Sequence, residues 1–298
     1  MTEGDSPTIA RRRVRLALRE ARERAGLTQN QVAEEMEWSH SKVIRIERGD
    51  VSISANDLKP LLNYLGIKDK AAVAALLADA RVARTRQRKA WYQAPEFRDT
   101  LTDDLRKLIE YESEAAEIRS YSIYYIPGPL QTRGYATALM ARYEDELNED
   151  QRRWRVEART KRREALLGRA GDVQILLMVD ESVLRRAVGG PAVFAEQLRD
   201  LKKHTEDGSI RVRMVPFSLD ASVTNNASFD LLVLGGGEVL YRETGLDDEM
   251  VEDQEMAAKH RARYDRVWQE AADEADTIQF IERRIKELER ADTDRPSR

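Results

Sequence analysis

The sequence predicts a multidomain chain: an all-α N-terminal domain of about five helices, then a mixed α/β domain that ends in a long helical region. Three observations predict it. Apolar residues recur at helical spacing through the first 80 residues, punctuated by capping and turn residues. Beyond residue 101 the pattern changes, with apolar runs and alternating segments set between helices. Charge divides in the same way: residues 1–90 carry 18 Lys plus Arg against 12 Asp plus Glu, and the rest carry 32 against 42. A length of 298 residues accommodates two domains.

In the first 80 residues, helices are expected over 11–25, 29–36, 40–47, 54–65 and 70–80. The segment 27–49, LTQNQVAEEMEWSHSKVIRIERG, is the most informative. Thr28 and Gln31 fit a capping box, and Val32, Ala33 and Met36 share one face of the helix that follows. Glu37-Trp38 makes a turn, and Ser39 caps the next helix. Val43 and Ile46 point to the core, which leaves His40, Ser41, Lys42 and Arg45 outward. Two short helices with a polar outer face on the second describe a helix-turn-helix, whose second helix enters the DNA major groove. The basic excess of residues 1–90 supplies phosphate attraction, while the acidic remainder suits a partner or effector role. Arg11, Arg12, Arg13 and Arg15 are expected either to reach the DNA backbone or a minor groove, or to form a solvated helix start. Gly66 closes the fourth helix. Residues 81–100, with Arg84, Arg86, Arg88 and Lys89 before an aromatic pair, read as a basic linker.

The second domain is expected over 101–290, with a flexible tail at 291–298. An amphipathic helix spans 105–118, and alternation at Tyr121, Ile123 and Tyr125 marks a short strand broken by Pro127-Gly128-Pro129. Thr132 caps a helix over 134–142, and a long helix over 149–167 carries arginine on what should be its exposed face. The apolar run 172–180 is a buried strand, followed by helices at 181–187 and 192–204. Strands follow at 210–217, 228–235 and 238–244, the last two joined by Gly235-Gly236-Gly237 as a hairpin. Residues 249–288 read as helix with a break near Asp276.

No chemistry of catalysis stands out. The chain has no cysteine, and His40, His204 and His260 lack metal-ligand spacing. Asp180-Glu181 is the best carboxylate pair, but an acidic N-cap followed by an acidic first-turn residue accounts for it. The expectation is a non-enzyme with no cofactor and no metal. No apolar run approaches a membrane span and no signal peptide opens the chain, so a cytoplasmic location is expected.

The segment 27–49 resembles the XRE (Cro/repressor-like) helix-turn-helix family through Leu27, Thr28, Gln29, Val32, Ala33, Ser39, Ser41, Val43, Arg45, Ile46, Glu47 and Gly49. The resemblance implies that Gln29 meets a phosphate and that Ser39, His40, Ser41, Lys42 and Arg45 form the DNA-facing set. It also implies a buried ion pair between Arg22 and Glu47. Two positions depart from the family: Glu37 stands where the turn usually holds Gly, and Trp38 where it holds a β-branched residue. Glu in a left-handed conformation would be strained, so a locally different turn is expected. Ile44 replaces a small polar residue and is assigned to a thymine methyl or a dimer surface.

IPGPLQTRGYA, with VDESVLRRAVGG, VRMVPF and SFDLL…VLYRET after it, is similar to the C-terminal domain of actinobacterial WhiJ-like regulators. The resemblance implies an effector or partner domain, with a small acidic partner protein encoded nearby. Tyr121, Tyr125, Pro127, Gln131 and Tyr135 are the candidate sensing surface, their alternative being to pack the strand against the next helix. The expected function is a transcriptional regulator that binds double-stranded DNA as a homodimer on a pseudo-palindromic operator. The alternative is an antitoxin-like protein that neutralises a small neighbour and regulates its own operon.

Overall fold

The computed structural model describes residues 7–85, 90–220, 227–243 and 248–293. The chain divides into two compact units, Met1–Lys89 and Ala90–Arg298.

The first unit is helical: α1 (Pro7–Arg24), α2 (Gln29–Glu35), α3 (His40–Arg48), α4 (Ala55–Tyr64) and α5 (Lys70–Val82). Each of the last four has a side-chain N-cap, from Thr28, Ser39, Ser54 and Asp69 in turn. The core joins Leu18 and Ala21 of α1 to Val32 and Ala33 of α2, Val43 and Ile46 of α3, and Leu58, Leu61 and Leu62 of α4. Ala33 is 4% exposed within this core.

The N-terminal arginines are not a basic arm. The first helix starts at Pro7, where proline is favoured at a first helical position, so Arg11, Arg12, Arg13 and Arg15 lie within it. Arg12 and Arg15 are only 1% and 4% exposed. Arg13 pairs with Asp79 of α5 at 2.6 Å, and Arg11 Nε donates to Ser52 Oγ at 3.2 Å. These cations hold the helices together.

The second unit is built on one six-stranded sheet in the order β3-β2-β1-β4-β5-β6. Its strands are β1 (Glu117–Ser122), β2 (Gln174–Asp180), β3 (Arg211–Val215), β4 (Phe229–Leu234), β5 (Gly237–Glu243) and β6 (Asp248–Val251). β1, β2 and β3 run parallel, and β4, β5 and β6 continue antiparallel. The helices are α6 (Pro95–Arg98), α7 (Asp103–Glu112), α8 (Arg133–Met140), α9 (Glu149–Leu167), α10 (Glu181–Arg185), α11 (Pro191–Glu206), α12 (Gln254–Glu270) and α13 (Glu274–Thr293). One sheet face packs Tyr121, Met178, Phe229, Leu231 and Leu240 against Ala257, Tyr264 and Val267 of α12. Side chains alternate along a strand, so Ser120, Asp230 and Tyr241, which stand in register across β1, β4 and β5, point to the opposite face.

Four expectations need correction. Residues 90–100, read as linker, fold into the second unit: Tyr92, Phe97 and Leu101 form a cluster with Ile109 and Ala158, and Trp91 packs edge-on to Phe97. The remaining linker cations Arg86, Arg88 and Lys89 lie outside the described residues, as do Thr244 and the tail from 294. The helix assigned to 105–118 ends at Glu112, and Ile118 belongs to β1. Ala116 is already tied to both neighbours, donating to the Val233 carbonyl and accepting from Gln174 N, each at 2.9 Å. Residues 248–251 are strand, because β5 supplies their ladder partners. The final helical break falls at 271–273, earlier than Asp276, where Ala272 N donates to the Met214 carbonyl at 2.9 Å.

Candidate nucleic-acid interface

The turn between α2 and α3 sets the geometry. Thr28 Oγ1 accepts from Gln31 N at 3.2 Å while Thr28 N donates to Gln31 Oε1 at 2.8 Å, closing a capping box. Glu37 then adopts φ 54°, the left-handed conformation that glycine usually supplies. The turn therefore keeps its shape despite Glu37, against the expectation of a local difference. Trp38 N donates to the Ala33 carbonyl at 2.8 Å, and its indole packs on the core. Ser39 Oγ accepts from Lys42 N at 3.3 Å and starts α3.

α3 is anchored from below. Val43 and Ile46 are 3% and 4% exposed. Arg22 grips Glu47 with two bonds, Nε to Oε1 at 2.7 Å and Nη2 to Oε2 at 3.0 Å, and donates a third to the Leu27 carbonyl at 2.9 Å. The hydrogen bond to Glu47 raises the Arg22 guanidinium above its ordinary range, so the charge is permanent. Gly49 ends the helix at φ 84°. A Cβ there would lie 2.9 Å from Arg15 Cδ, so glycine satisfies both the backbone and the buried arginine beneath it.

The DNA-facing set divides in this geometry. His40, Ser41 and Arg45 are exposed on α3, and Ser39 is exposed at its cap. Lys42 is held sideways: its Nζ lies 3.8 Å from the Trp38 ring centroid and 3.4 Å from Asp57 Oδ2. That contact gives the unusual Trp38 a role. Gln29 is likewise engaged, its Nε2 donating to Glu47 Oε2 at 2.9 Å. Ile44 is half-buried at the edge of the outer face. Sequence reasoning missed Arg48, which is exposed and follows Ser41 by seven residues and Arg45 by three, on the same stripe. That spacing was the available signal. Among the described residues neither Arg45 nor Arg48 has a side-chain partner.

Three of the five candidate sensing residues are interior. Tyr121, Gln131 and Tyr135 are 1%, 4% and 0% exposed, while Tyr125 and Pro127 are half-buried. The loop after β1 is an internal scaffold. Gln131 Nε2 donates to the Ile126 carbonyl at 2.7 Å, and Ile126 N donates to Tyr135 Oη at 3.3 Å. Thr132 N donates to Gln197 Oε1 at 2.7 Å, and Gln197 Nε2 donates to the Leu130 carbonyl at 2.9 Å. Burial pushes the Tyr135 hydroxyl up to about 12. The packing alternative accounts for these three residues.

Asp180 caps α10 by accepting from Ser182 N at 2.9 Å. Glu181 is held by Arg185 at 2.6 Å and by Phe217 N at 2.9 Å. Among the described residues no group of three His, Asp or Glu is placed to hold a metal ion. Among the same residues no helix is long and apolar enough to cross a membrane.

Residues 14–76 match the family described as a helix-turn-helix domain, a module that binds DNA. Residues 105–283 match a domain of unknown function, DUF5753. No curated protein and no solved structure matches the chain.

Proposed function

The chain belongs to the DUF5753 family, here with a helix-turn-helix domain ahead of it, and we propose that it is a sequence-specific transcriptional regulator whose second unit controls DNA binding. The observation that carries this reading is the outer face of α3. Two guanidinium groups, Arg45 and Arg48, stand exposed and unpaired among the described residues on a helix anchored by the Arg22–Glu47 pair. Bidentate donors of that kind read guanine edges in the major groove. A helix of this length touches only a few base pairs, which favours a homodimer on a pseudo-palindromic operator.

Control is assigned to the second unit because its acidic balance keeps it from the DNA backbone. The signal is a ligand or a small partner protein, in the manner of WhiJ-like regulators. We read this unit as non-catalytic, since Asp180 and Glu181 are both spent on caps and backbone contacts. A cytoplasmic location follows from the DNA partner.

The test is a titration of operator fragments. Arg45→Ala should cost about 1–3 kcal/mol and relax the preference at one base pair. Gln29→Ala should weaken all sequences about equally. Unchanged specificity in Arg45→Ala would remove α3 from the groove. Sedimentation of the complex should give two chains per operator, and one chain would refute the dimer.

A further inference from the structure

The long charged helix α9 was expected to carry its arginines outward, yet three of them turn inward. Arg155, Arg159 and Arg162 recur at i, i+4 and i+7, on the face that also carries buried Ala158 and Leu166. Only Arg162 has a carboxylate in contact: Nε and Nη2 meet Glu112 at 2.9 and 2.7 Å. Arg159 Nη1 donates to the Arg155 carbonyl at 3.0 Å, and its Nε is buried without a partner. Arg155 Nε is buried in the same way. Among the described residues neither cation has a carboxylate within ion-pair distance.

These cations form a cluster that is not sealed from solvent. Arg155, Arg159 and Asp230, whose charge acts on Arg162, all keep partial access to solvent. Burial, and then the charge of Arg162, lower the Arg159 guanidinium to about 10 against the opposing charge of Glu243, so it remains charged at neutral pH. Gly128, in the Pro127-Gly128-Pro129 turn, lies against the same helix. A Cβ at Gly128 would stand 3.0 Å from Arg162 Nη1 and 3.8 Å from Arg159 Cγ, so a side chain there would crowd the Arg162 guanidinium and touch the Arg159 stem. Tyr143 lies near Arg159, and burial raises its hydroxyl.

We propose that this cluster is a small-molecule site, and that Arg159 and Arg155 anchor a ligand carrying a phosphate or carboxylate group. A crowded guanidinium with no carboxylate in contact costs free energy, and an oxyanion bound to it relieves that cost. The planar fork of a guanidinium matches both groups bidentately. The assignment deepens the proposed control by naming the chemical class of its signal. Its test reads binding directly, so a failure of DNA control cannot be mistaken for a failure of this site.

The full chain is melted in buffer of constant ionic strength with inorganic phosphate, and separately with succinate, replacing chloride. At about ten times Kd, at least one anion should raise the melting temperature by about 3–6 °C. The rise should vanish in Arg159→Gln, shrink in Arg155→Gln and persist in Arg45→Gln, which removes a cation from the DNA face instead. Circular dichroism establishes that each variant is folded, and Arg155→Gln serves alone if Arg159→Gln is not. A rise that persists undiminished in the α9 variants, or that disappears in Arg45→Gln, overturns the proposal. So does the absence of any rise with both anions.

Discussion

Each unit holds a largely buried arginine–glutamate pair, Arg22–Glu47 in the first and Arg162–Glu112 in the second, and the two are built alike. Arg22 meets Glu47 with two bonds, and Arg162 meets Glu112 with two bonds. Their surroundings differ. Around the first, Glu47 also accepts from Gln29, Arg22 also donates to the Leu27 carbonyl, and the charges balance. Around the second, Arg159 and Arg155 add positive charge with no carboxylate in contact among the described residues. Burial, the largest single influence, lowers the Arg162 guanidinium, but the charge of Glu112 and its hydrogen bonds together outweigh it and the net shift is upward. A balanced pair locks one helix on another. Guanidinium groups that feel Glu243 and Asp230 only at a distance keep hydrogen-bonding capacity for an anion.

The largest effect should separate the pairs directly. Glu112→Gln leaves three arginines on the inner face of α9 without their one carboxylate contact, and should cost about 3–5 kcal/mol. Glu47→Gln should cost less, on the order of 1–3 kcal/mol, because Arg22 retains the Leu27 carbonyl and lies nearer water. Urea midpoints for both variants measure the difference, and equal losses would break the comparison.

A smaller effect concerns Asp230. Burial pushes its carboxyl up to about 6, with the Ser120 hydroxyl opposing the shift. Between about pH 4 and this value the folded chain holds a proton that the unfolded chain has released. Stability from this group therefore falls as pH rises through that window. Asp230→Asn should match the wild type near pH 3.5 and exceed it at pH 7 by on the order of 1–2 kcal/mol, its partial exposure allowed for. A difference that does not change with pH would show that Asp230 carries no such burden.

The smallest effect lies in the other unit. Glu37→Gly relieves a left-handed backbone at φ 54° and should stabilise by about 0.5–1 kcal/mol. Operator affinity should stay unchanged, since the turn already has the shape that glycine would give. A loss of stability would mean that the Glu37 side chain contributes more than its backbone costs.

How much was legible differs between the units for the same reason. In the first unit, caps at Thr28, Ser39 and Ser54 and the buried positions Val43 and Ile46 are local signals, so the helices could be placed within a few residues. Arg48 was legible too, at seven residues from Ser41. In the second unit, β6 was read as helix because only the ladder to β5 makes Asp248–Val251 a strand. Tyr121 and Tyr135 read as plausible surface because nothing near them in sequence reveals the helices and strands that cover them.

The sequence by itself determined the helix-turn-helix, the order of most elements and the division of charge between the two parts. Helical periodicity and capping act over a few residues, so a linear reading captures them. Only the tertiary structure decided which arginines are free. Arg12 and Arg15 pack inside, Arg13 finds Asp79, and Arg162 finds Glu112 fifty residues away. Arg159 and Arg155, read as solvated, turn inward without a carboxylate in contact among the described residues. The free energy of a charge depends on its solvent and its neighbours in space, and neither is encoded in the residues beside it in the chain.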